Sequence, residues 1–183
     1  SWPCYKPGEP DPRPASGLLD PCKLAAMSWT GMMQMFQVDG EVIPFPDWEE
    51  RYKLIRAYGS WFTARKLHPK DIVEEANEAR EPLAAFMCLT REIPGFDRDP
   101  LLKKNFLLAM ALAQRPEKFL KVTDTYHWRP IVDYHLMRVA LRLGIVSVSE
   151  AEAETLSERA WCGDLLEESV RRATYRAVNS LLR

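Results

Sequence analysis

Between Pro130 and Gly144 the sequence reads Pro-Ile-Val-Asp-Tyr-His-Leu-Met-Arg-Val-Ala-Leu-Arg-Leu-Gly. No other run constrains the fold as strongly, because its signals agree on one helix with a fixed start and end. Pro130 stands just before the start, where a missing N–H costs little. Asp133 falls at the N-cap or first turn, where a carboxylate meets unpaired N–H groups and the positive end of the helix dipole. Val132, Leu136, Val139, Ala140 and Leu143 recur at helical spacing and predict one apolar face. Arg138 and Arg142 lie one turn apart off that face. Gly144 suits the left-handed residue that ends a helix.

The same punctuation runs through the rest of the chain. Residues 1–23 hold six prolines and two glycines and read as an extended arm or linker, with Trp2 and Tyr5 as anchors. Such an arm suits attachment to a further N-terminal segment or to a protein partner. Residues 24–183 read as one helical domain. Residues 24–37 are apolar and helix-compatible, Asp39-Gly40 marks a turn, and Val42 to Phe45 allow one short strand at most. Asp47 and Glu50 have the spacing of a capping box. Pro69, Pro82 and Asp99-Pro100 open further helical runs, and Ser149 is a natural cap for helix 150–160. A last helix from about Gly163 carries Leu165, Leu166, Val170, Ala173, Ala177, Val178 and Leu181, with Arg171, Arg172 and Arg176 on its outer face. The fold class is therefore all-α, with about seven or eight helices.

The chain has 183 residues and a formal net charge of −1. That balance weighs against tight, sequence-independent binding of duplex DNA, which favours a basic surface. No apolar run reaches the roughly 20 residues that span a bilayer. Cys4, Cys22, Cys88 and Cys162 form no C-x-x-C pair, so they suit reduced thiols in a cytoplasmic protein better than a zinc site.

Two resemblances bear on function. Val132-Asp133-Tyr134-His135-Leu136-Met137-Arg138-Val139 resembles the V-D-x-H-x-x-R-V motif of the helix-hairpin-helix DNA glycosylase superfamily, whose Asp is catalytic. The glycine hairpin with which that superfamily grips DNA has no counterpart here, since residues 114–121 contain no Gly. Over residues 47 to about 178 the chain is similar to the queuosine salvage family, 5′-nucleotide N-glycosidases with a glycosylase-like helical fold. Glu49-Glu50-Arg51-Tyr52-Lys53-Leu54-Ile55 resembles that family's E-E-R helix. Lys103-Lys104 resembles its K-R-A-Q segment, Val132-Asp133-Tyr134 its A-D-Y, and Ala160-Trp161-Cys162 its aromatic-Cys stretch. The family's A-D-Y continues differently, where this chain has His135, Met137 and Arg138.

These resemblances imply a glycosylase-like helical fold and a hydrolase that breaks the base–sugar bond of a modified nucleoside or nucleotide of queuosine type. They imply no metal and no cofactor. Asp133 would be the catalytic carboxylate, stabilising an oxocarbenium-like state or activating water. Trp128, Tyr134 and Trp161 would stack against the base, and Lys104 or Arg138 would hold a 5′-phosphate. His135 would complete the substrate-binding set. A DNA glycosylase relative and a helical interaction module without chemistry are the alternatives, with duplex DNA the less favoured ligand.

Overall fold

A computed structural model describes residues 20–181, and the arm expected over residues 1–23 lies outside it except for its last four residues. Among the described residues there are nine α-helices, one 3-10 turn and a single two-stranded antiparallel hairpin, so the chain is all-α. It divides into two compact units, one ending at Thr125 and the other starting at Tyr126.

The first unit opens with α1 (Pro21–Ala25), which begins inside the stretch expected to be an extended arm. Pro21 occupies a first-turn position, and the Asp20 carboxylate accepts the N–H groups of Cys22 at 2.9 Å and Lys23 at 3.3 Å. The helix-compatible run over residues 24–37 is divided between two helices. α1 stops at Ala25, and Ser28 caps α2 (Trp29–Met35) by accepting the Gly31 N–H at 3.0 Å. Asp39 and Gly40, both at positive φ, form the tight turn between β1 (Gln37–Val38) and β2 (Glu41–Val42). Two short strands therefore form where one was expected, and they reach the Val42–Phe45 window only at Val42. Edge-to-face contacts among Phe36, Phe45 and Trp48 hold the hairpin to the start of the next helix.

That helix is α3 (Trp48–Arg65), and its expected capping box is absent. Asp47 has φ 60° and ψ 40°, and its side chain makes no cap hydrogen bond. A capping side chain requires extended backbone to reach the N–H groups ahead of it. Glu50 instead joins Glu49 in pairing with Lys53. α4 (Pro69–Glu78), α5 (Pro82–Thr90) and α6 (Lys103–Gln114) follow, each near the proline or Asp-Pro signal that predicts it. Asp99 closes the turn before α6 by accepting from Leu101 and Lys103. The core of this unit is built on Met32, Phe62, Ile72, Ala76, Leu83, Phe86, Phe106, Ala109 and Leu120.

The second unit contains α7 (Tyr134–Arg142), α8 (Glu150–Ser157) and α9 (Gly163–Leu181). Its buried cluster is Val132, Met137, Ala140, Val146 and Val170. Gly144, at φ 68°, ends α7. The Ile145 N–H returns to Ala140 O at 2.9 Å and the Gly144 N–H to Leu141 O at 3.2 Å, the two bonds of a Schellman motif. The inward face of α7 is rotated from the expected one: Met137 is buried, whereas Val139 and Leu143 are exposed. Ser149 caps α8 as expected by accepting the Glu152 N–H, and its hydroxyl and N–H both donate to the Glu152 carboxylate, which they hold below its usual range. On α9, Leu165 and Leu181 are exposed, and Val170 and Thr174 are the buried residues.

Candidate functional site

Asp133 sits at the N-cap of α7 with φ −121° and ψ −179°. From that extended backbone its Oδ1 accepts the Leu136 N–H at 3.0 Å. The carboxylate is partly buried, and its direction is set by the cap. Val132 on one side and Met137 on the other are anchored in the core, which fixes the start of the helix against the rest of the unit.

Around this carboxylate the first turn and a half of α7 displays Tyr134, His135 and Arg138, all exposed. The Tyr134 and His135 rings lie 3.9 Å apart between centroids, inclined at 34°. Helical geometry places Arg138 one turn beyond Tyr134 on the same side. The acid, two flat rings and a guanidinium thus share one helix end. Their being brought together follows from spacing along a single helix, which is why the sequence exposes it.

The remaining expected residues are placed differently. Trp128 is partly buried in the segment before α7, and its carbonyl accepts the Arg129 guanidinium at 2.9 Å. Trp161 is 82% exposed and lines an open cleft of about 570 Å³ between α8 and α9, with Thr155, Cys162, Leu165 and Leu166. Asp133 does not line that cleft. Lys104 belongs to the first unit, where its ammonium donates to Gly95 O at 3.0 Å.

One contact escapes sequence reasoning. Arg171, expected on the outer face of α9, turns inward: its side chain is only 16% exposed, and its Nε donates to Val132 O at 3.4 Å. It therefore places positive charge one residue before Asp133 and also faces Glu168 at 3.8 Å. Its neighbour Arg172 follows the expected pattern, with an exposed pair to Glu168. Nothing in local spacing separates Arg171 from Arg172; only the packing of α9 on α7 does.

The first unit holds a second cleft, of about 560 Å³ and largely apolar, walled by side chains of α3 to α6. Tyr58 lines it, and burial raises its phenol above the ordinary value. Among the described residues no group of three or more His, Cys, Asp or Glu is placed to hold a metal ion. No described helix is long and apolar enough to cross a membrane. Cys22, Cys88 and Cys162 are free, and Cys4 lies outside the described residues.

Compared with protein-family models and with curated protein sequences, the chain matches none.

Proposed function

We propose that this protein hydrolyses the N-glycosidic bond of a modified nucleoside or nucleotide, of the queuosine type, with Asp133 as the catalytic carboxylate. The observation that carries the reading is the Asp133 cap itself: its Oδ1 is held by the Leu136 N–H at 3.0 Å at the start of a core-anchored helix. Breaking a base–sugar bond develops positive charge on the sugar. An oriented carboxylate stabilises that charge or takes a proton from the attacking water. The cap hydrogen bond to Oδ1 fixes the direction of the carboxylate.

Tyr134 and His135 supply flat surfaces for a base. Arg138 supplies a guanidinium suited to a 5′-phosphate through two parallel hydrogen bonds. Lys104, Trp128 and Trp161 belong to the reading only through the family resemblance. A small nucleotide fits the near-neutral charge better than duplex DNA does. The dispersed cysteines suit a cytoplasmic setting.

The test is base release from nucleosides and 5′-nucleotides by the wild-type chain and by Asp133→Asn. Asparagine caps a helix about as well as aspartate, so this variant keeps the fold and removes only the charge. Loss of release in a folded variant supports the proposal. A second reading, a helical interaction module without chemistry, is favoured by Trp161 and Leu165, which stand 82% and 90% exposed on one side of the second unit. It predicts no base release by the folded wild type and none by Asp133→Asn.

A further inference from the structure

Two uncovered apolar patches stand on the second unit, and they carry opposite charge. The first is the open cleft of about 570 Å³ between α8 and α9, where Trp161 and Leu165 stand largely exposed. Large apolar side chains grouped in the open mark contact surfaces. Residues 150–169, which supply every wall of this cleft, hold seven acids and one base, Arg159. Glu154, Glu158, Asp164 and Glu167 are exposed, and none of them has an ion-pair partner among the described residues.

The second patch is the outward face of α7. Val139 and Leu143, one turn apart, are 46% and 69% exposed. The core takes Met137 and Ala140 instead, so part of the apolar stripe of this helix is left over. Residues 134–149 hold Arg138 and Arg142 and no acid. Arg142 is exposed and has no ion-pair partner among the described residues. The same unit thus presents an acidic apolar groove and a basic apolar helix face. The two are complementary in charge. Both are uncovered, so they do not meet within one copy.

We propose that this chain associates with a second copy of itself, with α7 of one copy seated in the α8–α9 cleft of the other. Val139 and Leu143 serve as the i, i+4 anchors of a helix laid in a groove, against Trp161 and Leu165. Arg142 then faces the carboxylates around the cleft. The contact makes no use of the Asp133 carboxylate, and its test reads mass rather than base release.

Sedimentation equilibrium of the full chain gives that mass, in reducing buffer so that the free cysteines cannot cross-link. The wild type is expected to exceed the monomer mass at concentrations up to about 1 mM. Leu165→Ser and Leu143→Ser, both at exposed positions, are each expected to weaken association at least about tenfold, as loss of an interface anchor does. Mixed in equal amounts, the two variants are expected to associate more tightly than either does alone. The cleft of the Leu143→Ser chain and α7 of the Leu165→Ser chain are both intact, so one wild-type contact can form. Thermal melts establish that each variant is folded, and Arg142→Glu replaces Leu143→Ser if that variant does not fold. A wild type that stays monomeric, a folded variant that associates as the wild type does, or a mixture no tighter than its components would each overturn the proposal.

Discussion

The Asp124 carboxylate reaches across 41 residues to accept the Leu83 N–H at 2.9 Å through Oδ1, while Oδ2 takes the Ala84 N–H at 3.0 Å. It caps α5 in place of Glu81, which makes no side-chain cap hydrogen bond there. Asp124 is 3% exposed and Leu83 fully buried, so the Leu83 N–H has no water to turn to if the carboxylate is lost, while Ala84 is partly buried. Asp124→Ala is expected to destabilise the first unit by about 3 kcal/mol, the cost of losing two hydrogen bonds to a buried carboxylate. Urea denaturation checks this, with a lowered midpoint and an unchanged slope as the expected result.

Gly59 is the point at which α1 rests on α3. A Cβ built there would lie 2.3 Å from Ala25 N and 2.6 Å from Pro21 O, both backbone atoms that cannot swing away. Gly59→Ala therefore forces the helices apart, although alanine is the better helix former. The expected loss is about 3 kcal/mol, at the upper end of overpacking costs. Hydrogen exchange should show the amides of α1 opening first. A neutral or stabilising effect would mean that α1 does not pack on α3 in this way.

Thr174 is fully buried in α9, and its hydroxyl finds no hydrogen-bond partner. Valine has the same shape and a similar helix propensity. Thr174→Val removes the unmet hydroxyl and is expected to stabilise the second unit by about 1 kcal/mol. Thermal melting of the variant against the wild type measures it.

The helices themselves are written in local sequence. Pro69, Pro82, Ser149 and Gly144 mark ends that the structure keeps, and Asp39-Gly40 makes the turn its composition demands. Asp47 fails because capping depends on backbone angles, and here the chain enters α3 left-handed. The inward turn of α7, with Met137 in and Val139 out, depends on which partner it meets, as does the burial of Arg171. Asp133, Tyr134, His135 and Arg138 were legible together because one helix holds them. Asp124 was not, because its partners lie 40 and 41 residues away.

The most direct measurement is the rate of free-base release from a queuosine-type nucleoside and its 5′-phosphate, by wild type and Asp133→Asn at matched folded concentration. Since Asn preserves the cap, both proteins should melt at nearly the same temperature. The account predicts release by the wild type and a fall of at least about 100-fold in Asp133→Asn, the scale of losing an oriented catalytic charge. Release at the wild-type rate by folded Asp133→Asn, or no release by the folded wild type, would contradict it.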